Sequence, residues 1–165
     1  MRIAVIADIH DNLANLKTCL TWCCDNEIEK IICAGDITNL ETITFLAENF
    51  PGEIFVVLGN ADNYEVADLK TWKNIIYSGE IGSYEIANLK IAVCHEPEKI
   101  KEAKEAGQDA PNFIFYGHTH KPWIENDGQT IIANPGTLGG VFYPATFAVL
   151  ETTNKYLELK RLEEI

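Results

Sequence analysis

The chain has 165 residues, 47% of them hydrophobic and 23% charged, which suits one folded domain with a core of its own. Its formal charge is −12 and its pI is near 4.7. A surface that acidic repels nucleic acid and anionic membranes, and no polybasic or basic–aromatic tract offsets it, so neither a stable nucleic-acid complex nor a membrane partner is expected.

An anionic small substrate is not excluded, because bound cations can invert the field locally. The apolar run at residues 3–7 is too short for a signal peptide, and no run reaches transmembrane length, so the default location is the cytoplasm. The five cysteines are Cys19, Cys23, Cys24, Cys33 and Cys94. An odd number without paired Cys-x-x-Cys units argues against a disulfide scaffold and a zinc ribbon. Most read as small buried hydrophobes. Cys94 stands apart because it precedes His95.

Residues 2–7 (Arg-Ile-Ala-Val-Ile-Ala) read as a central strand that ends abruptly in Asp8-Ile9-His10. On an extended segment, Asp8 and His10 would face the same way, a carboxylate and an imidazole leaving one strand end together. Asp11 or Asn12 can cap the helix that follows over 13–26, where Leu13, Leu16, Leu20 and Cys24 recur at helical spacing. Residues 30–34 predict a second strand, ending at Gly35-Asp36. A helix over about 40–49 stops before Pro51. Residues 53–58 predict a third strand, ending at Gly59-Asn60. This βαβαβ start implies parallel pairing, with ligands gathering beyond the C-terminal strand ends.

The pattern then changes. Residues 65–73 predict a short helix or irregular piece, and 81–86 with 89–94 a hairpin about Ala87-Asn88. A polar helix follows over about 98–107, then a strand at 112–116 ending in Gly117-His118. Residues 121–125 and 129–133 pair across Asn126-Asp127-Gly128, and 145–150 with 155–162 form a last hairpin. Two packed sheets with helices outside accommodate this order.

All four histidines, His10, His95, His118 and His120, fall at predicted strand ends or just beyond. With Asp8, Asp36 and Asn60 they make seven candidate ligands. That is too many for one tetrahedral zinc and about right for two metals sharing a carboxylate. Mixed oxygen and imidazole donors suit Mn, Zn, Fe or Co better than Ca or Mg alone. Two such ions can hold a bridging hydroxide and clamp the attacking and leaving oxygens of a phosphate ester, so no serine or cysteine nucleophile is needed.

The set Asp8-Ile9-His10, Gly35-Asp36, Gly59-Asn60-Ala61-Asp62, His95, and Gly117-His118-Thr119-His120 resembles the calcineurin-like metallophosphoesterases, specifically their compact bacterial and archaeal phosphodiesterases. Asn134-Pro135-Gly136-Thr137 also resembles a loop of that group. The resemblance implies a four-layer αββα sandwich of two mixed β-sheets flanked by helices, as one domain over residues 1–165. It implies that Asp8, His10 and His120 bind one metal, that Asn60, His95 and His118 bind the other, and that Asp36 bridges them. Asp36, Asn60 and His118 would then act in catalysis, with Asn60 also orienting the phosphate. Manganese is the favoured ion, with Ni, Co, Zn, Fe or Mg as alternatives. Asp62 and Asn134 are candidate outer acceptors for the histidine ring protons.

Two departures bear on substrate. Larger relatives carry a histidine after the asparagine as proton donor to the leaving group, and here Ala61 cannot donate. Where the family has His-Gly, this chain has His95-Glu96-Pro97, which would make the pocket mouth smaller and more acidic. Both favour a singly charged diester with a good leaving group. The expectation is a dinuclear metal-dependent phosphodiesterase acting on a small phosphate ester through a metal-bridging hydroxide. The alternatives are a phosphomonoesterase, a nucleotide pyrophosphatase, or a protein-binding scaffold like the related retromer subunit. Lys121 could approach a phosphate but reads better as a solvated strand residue. Phe142 and Tyr143 read as a pocket wall or an oligomer contact, and a homodimer would be reasonable for an enzyme of this size.

Overall fold

The computed structural model describes all 165 residues, Met1–Ile165. Eleven strands form two sheets. In chain order the elements are β1 (Arg2–Ile6), α1 (Leu13–Asp25), β2 (Lys30–Cys33), α2 (Leu40–Asn49), β3 (Glu53–Val56), α3 (Val66–Leu69), β4 (Ile75–Tyr77), β5 (Ile81–Ile86) and β6 (Leu89–Cys94). After a 3-10 turn at Pro97–Lys99 come α4 (Ile100–Glu105), β7 (Phe113–Phe115), β8 (Trp123–Asp127), β9 (Thr130–Asn134), β10 (Thr146–Glu151) and β11 (Tyr156–Arg161). No helix is long and apolar enough to cross a membrane.

The first sheet has the order β11-β10-β1-β2-β3-β4, and the second the order β5-β6-β7-β9-β8. Both are mixed. Strands β1 to β4 run parallel, and β10 joins β1 antiparallel. In the second sheet β6, β7 and β9 are parallel, with β5 and β8 antiparallel at the edges. Strand β4, absent from the sequence reading, extends the first sheet beside β3.

Alternation along each strand builds the layers. In β1, Ala4 and Ile6 face the helices, packing with Leu16, Cys19 and Leu46. Ile3, Val5 and Ala7 face the other sheet, against Val93, Phe113 and Phe115. A third cluster, including Ala92, Cys94 and Ile114, packs against Ala103 of α4. The result is the expected αββα sandwich.

Local chemistry sets the boundaries. Asn12 caps α1, its side chain accepting from Asn15 N at 3.1 Å, and Asn39 caps α2 by accepting from Thr42 N at 3.0 Å. Ala87 and Asn88 turn the β5–β6 hairpin with φ of 51° and 63°, the left-handed pair that matches strand twist. The β8–β9 turn sits one step later than the sequence suggests. Asp127 pairs with Thr130, so Gly128 and Gln129 make the turn, with Gly128 at φ +68°.

Candidate metal centre

The inward face of each central strand runs out into a loop at the same end of the inter-sheet core. On β6, Ile91 and Val93 point between the sheets, and His95 is next in that register. The corresponding steps lead from Ile32 through Ala34 to Asp36, from Phe55 through Val57 to Gly59, and from Phe113 through Phe115 to Gly117. Residues from both sheets thus converge beyond the C-terminal ends of β1, β2, β3, β6 and β7.

The sequence expectation that Asp8 and His10 leave an extended strand side by side is corrected here. β1 ends at Ile6, and both residues have left-handed backbone, with φ of 53° and 46°. They still converge, His10 Nε2 lying 3.8 Å from Asp8 Oδ1, because the chain turns sharply between them. Asp36 (φ 55°), His118 (φ 68°) and His120 (φ 59°) share this backbone state. So five of the seven sequence candidates have a conformation that costs a non-glycine residue of order 1–3 kcal/mol. Away from the centre, such residues are confined to turns at Glu27, Ala87, Asn88 and Lys155. Strain concentrated in this way marks a functional site.

The donor atoms form two adjoining groups. In the first, His10 Nε2 and His120 Nε2 are 3.0 Å apart, and His120 Nε2 is 3.3 Å from Asp8 Oδ1. In the second, His95 Nε2 lies 3.0 Å from Asn60 Oδ1, and His118 Nδ1 lies 2.7 Å from the same oxygen. Asp36 Oδ2 stands between the groups, 3.7 Å from His10 Nε2 and 3.3 Å from His95 Nε2. Donors each about 2.0–2.2 Å from one cation must be roughly 3.0–3.5 Å from one another, which is the spacing here. Two sets of acidic and imidazole side chains are close enough to hold an ion: Asp8, His10 and His120, and Asp8, Asp36 and His95.

Main-chain groups hold these side chains in place. His95 Nδ1 meets the Ala34 carbonyl at 2.7 Å, and His120 Nδ1 meets the Val141 carbonyl at 3.2 Å. Each carbonyl takes a ring proton and turns the opposite nitrogen toward the centre. The expected acceptors, Asp62 and Asn134, do neither job. Asp62 instead accepts from three backbone N–H groups: Gly59 at 2.7 Å, Thr38 at 2.7 Å and Asp36 at 3.2 Å. It ties the loop after β2 to the loop after β3. Asn134 donates to the Gly117 carbonyl at 2.7 Å and to Thr119 Oγ1 at 3.1 Å, fixing the loop that carries His118 and His120. Gly59 is required for space, since a Cβ there would lie 2.2 Å from Asp36 N and from Asp36 Oδ1.

Charge is poorly solvated at this centre. Burial pushes the Asp8 carboxyl up to about 7, with the His95 charge pulling the other way. Burial also acts to raise Asp36, but hydrogen bonds from His95 and the Ala61 N–H outweigh it and leave the carboxyl below its usual range. Burial lowers His10. Burial acts to lower His95 too, yet its hydrogen bond to Asp36 raises it. These directions describe the metal-free chain, in which protons compensate packed carboxylates. Divalent cations would take over that compensation, and the donor set fits them. Cys94 takes no part: its Sγ contacts the Glu96 carbonyl at 3.6 Å, and burial pushes its thiol up to about 12.

The model of the calcineurin-like phosphoesterase superfamily domain matches residues 1–155. The chain belongs to this superfamily. Among characterised relatives, phosphodiesterase MJ0936 of Methanocaldococcus jannaschii is 29% identical over 162 residues, 94% of this chain and 95% of the relative. The solved structure of an archaeal phosphodiesterase superposes with a TM-score of 0.86 at 27% identity, covering 98% of this chain and 99% of that one. Vps29 of Entamoeba histolytica, solved in complex with zinc, shares the fold at a TM-score of 0.69 and 21% identity, with 98% of each chain covered. Superfamily membership and the two donor groups together support metal-dependent phosphoester hydrolysis.

The supporting carbonyls of Ala34 and Val141 escaped the sequence reading because a backbone acceptor has no letter of its own. The three N–H groups on Asp62 escaped it for the same reason, although the Gly-Asn-x-Asp spacing was visible.

Proposed function

We propose that the protein hydrolyses phosphate diesters at a dinuclear metal centre. Asp8, His10 and His120 hold one divalent ion, Asn60, His95 and His118 hold the second, and Asp36 spans both. The observation that carries this is the position of Asp36 Oδ2, which faces His10 on one side and His95 on the other at 3.7 and 3.3 Å. When bound, such ions supply Lewis acidity toward the phosphoryl group and make water a competent nucleophile at neutral pH. Manganese is the ion we favour, from the mixed carboxylate, amide and imidazole donors.

The chain's own residues then do four things. Asp36, fixed by the Ala61 N–H on its other oxygen at 2.8 Å, presents Oδ2 between the two donor groups, where it would serve both ions. Asn60 has its Oδ1 turned to His95 and His118, which leaves its Nδ2 to donate to a phosphoryl oxygen. His118 is exposed, and its ring forms the solvent side of the second donor group. The backbone N–H of His118 donates to both oxygens of Asp8, at 3.1 and 3.0 Å, and keeps that buried carboxylate aimed inward.

Preference for a diester follows from what surrounds the donors. Ala61 offers no proton to a departing alkoxide. Lys121 Nζ lies 5.5 Å over the Trp123 ring, and Lys99 is paired with Glu80 and Glu96. Each would have to leave its partner to clamp a second phosphate charge. Glu96, paired in this way, adds less negative charge to the mouth than its sequence position suggests. The site draws on both sheets, so we treat residues 1–165 as one functional unit.

The test is hydrolysis by metal-stripped protein reloaded separately with Mn, Ni, Co, Zn and Mg, on matched aryl phosphate monoesters and diesters. Metal-restored turnover favouring the diester is expected. A preference for the monoester would keep the metal centre and sink the diester reading.

A further inference from the structure

The rim of the metal centre carries one group that no part of the hydrolytic chemistry uses. Phe142 is 90% exposed, whereas the next most exposed large apolar residues, Ile124 and Tyr156, are at 58%. Its backbone is left-handed, with φ +65°. A bulky aromatic in that conformation is a genuine outlier, and no burial compensates it. Its ring centroid is 5.8 Å from that of His120, tilted by 32°. The preceding residue supplies the carbonyl that meets His120 Nδ1. The ring therefore stands beside the first donor group, held by the same backbone that orients one of its imidazoles.

The base of this loop is tied down by hydrogen bonds. Leu138 N and Gly139 N donate to the carbonyls of Ala7 and Asp8, both at 2.9 Å. Asn12 Nδ2 donates to the Gly139 carbonyl at 2.9 Å, and Thr137 Oγ1 to the Asp8 carbonyl at 2.9 Å. The loop that exposes Phe142 is thus pinned to the strand end that delivers Asp8.

The two arginines and the lysines flanking the histidine motifs already have partners. Arg2 bonds to the Asn26 carbonyl, and Arg161 pairs with Glu164. The two lysines flanking the histidine motifs are engaged as described above. Selectivity for the group attached to the phosphate then falls to apolar surface at the rim.

We propose that Phe142 is a specificity-determining platform, on which a flat aromatic group carried by one ester arm of the substrate stacks while the phosphate sits at the donors. The preferred substrates are then diesters bearing an aryl ring or a nucleobase, and dialkyl diesters are poor. The proposal rests on the phosphodiesterase reading and deepens it. Stacking on one exposed aromatic is sequence-tolerant and adds affinity without changing the bond being broken, so its loss appears in KM rather than kcat.

The experiment measures binding by calorimetry to the manganese-loaded full chain, using phenyl phosphate, adenosine 5′-monophosphate, methyl phosphate and inorganic phosphate. Phe142→Ala is expected to weaken phenyl phosphate, adenosine monophosphate or both by roughly five- to fiftyfold, leaving methyl phosphate and inorganic phosphate unchanged. Which of the two aromatic ligands loses more identifies the source of the ring. Phe142→Trp should restore affinity and Phe142→Leu should not, which separates stacking from general hydrophobicity. In kinetics with bis(p-nitrophenyl) phosphate, KM should rise in Phe142→Ala with kcat kept. If wild type and Phe142→Ala show the same ratio of phenyl to methyl phosphate affinity, the platform is refuted while the phosphodiesterase reading stands. The same ratio accompanied by altered sedimentation would make Phe142 a contact with a second copy, also refuting the platform. Failure of the loaded wild type to bind any phosphate ligand or to turn over any diester would sink both readings.

Discussion

The metal centre has a floor and a rim, and they are made differently. The floor is Asp8, Asp36 and His95, exposed by no more than 2%. Each is held by main-chain groups: Asp8 by the His118 N–H, Asp36 by the Ala61 N–H, and His95 by the Ala34 carbonyl. The rim is His10, Asn60, His118, His120 and Phe142, all half-buried or exposed. The floor continues the inter-sheet core, so its geometry is set by the packing of two sheets. The rim stands on loop backbone at the edge of the core and is open to whatever arrives. A change at the floor should therefore disturb folding, metal and turnover together, while a change at the rim should separate them.

The largest expected effect tests the floor. Asp36→Ala removes the oxygen shared between the two donor groups. Turnover of an aryl diester should fall by about a thousandfold or more, and bound metal should drop from about two ions per chain to about one or fewer. Retention of both ions with full activity in this variant would end the dinuclear assignment. Next in size is Asp62→Ala, which touches no donor side chain. It strands up to three N–H donors on the loops after β2 and β3. Each buried, unsatisfied donor costs about 1–3 kcal/mol, so a loss of roughly 2–4 kcal/mol in a urea melt is expected, with activity down about ten- to a hundredfold. Equal stability of Asp62→Ala and wild type would show that the loops are held by something else. Metal removal comes third. Ions at about a hundred times their Kd add roughly 2.7 kcal/mol of stability, so chelation should lower Tm by about 5–10 °C. The shift should fall to about half or less in Asp36→Ala and persist in Phe142→Ala.

The same division explains what the sequence made legible. The floor and most of the rim could be named from residue type and strand-end position, because buried strands ending in Asp, Asn or His stand out against apolar runs. The backbone conformation could not. Asp and His visit the left-handed region more often than most residues, but that preference does not single out Asp8, His10, Asp36, His118 and His120 in the sequence. The support for His95 and His120 was equally hidden, coming from carbonyls of distant loops. At the fold level, helix α2 was expected over about 40–49, before Pro51, and is observed over Leu40–Asn49, with Asn39 as the cap that the structure adds. Strand β4 was missed because three residues carry no period, and its place is decided only by pairing with Val56 and its neighbours. The β8–β9 turn moved by a step because Asp127 joins the ladder opposite Thr130 rather than the loop.

The smallest prediction sharpens the contrast most. Phe142 occupies a backbone state that glycine adopts freely, and its side chain is almost wholly in water. Phe142→Gly relieves the left-handed strain but adds freedom to the unfolded chain, which takes back part of the gain. The net expectation is a stabilisation of about 0.5–1 kcal/mol relative to Phe142→Ala, whose Cβ keeps the strain. Thermal melts of the two variants at one metal concentration would measure it. A rim position where glycine is more stable than alanine holds a backbone state that costs stability to keep. If Phe142→Gly is instead the less stable variant, the left-handed backbone carries no strain for glycine to relieve, and the separation of floor from rim fails at the position where it should be clearest. If it is more stable and binds aromatic phosphates more weakly, then the strain at Phe142 is a folding cost borne for recognition, whereas the strain at Asp8 and Asp36 on the floor positions donors that serve fold and metal alike.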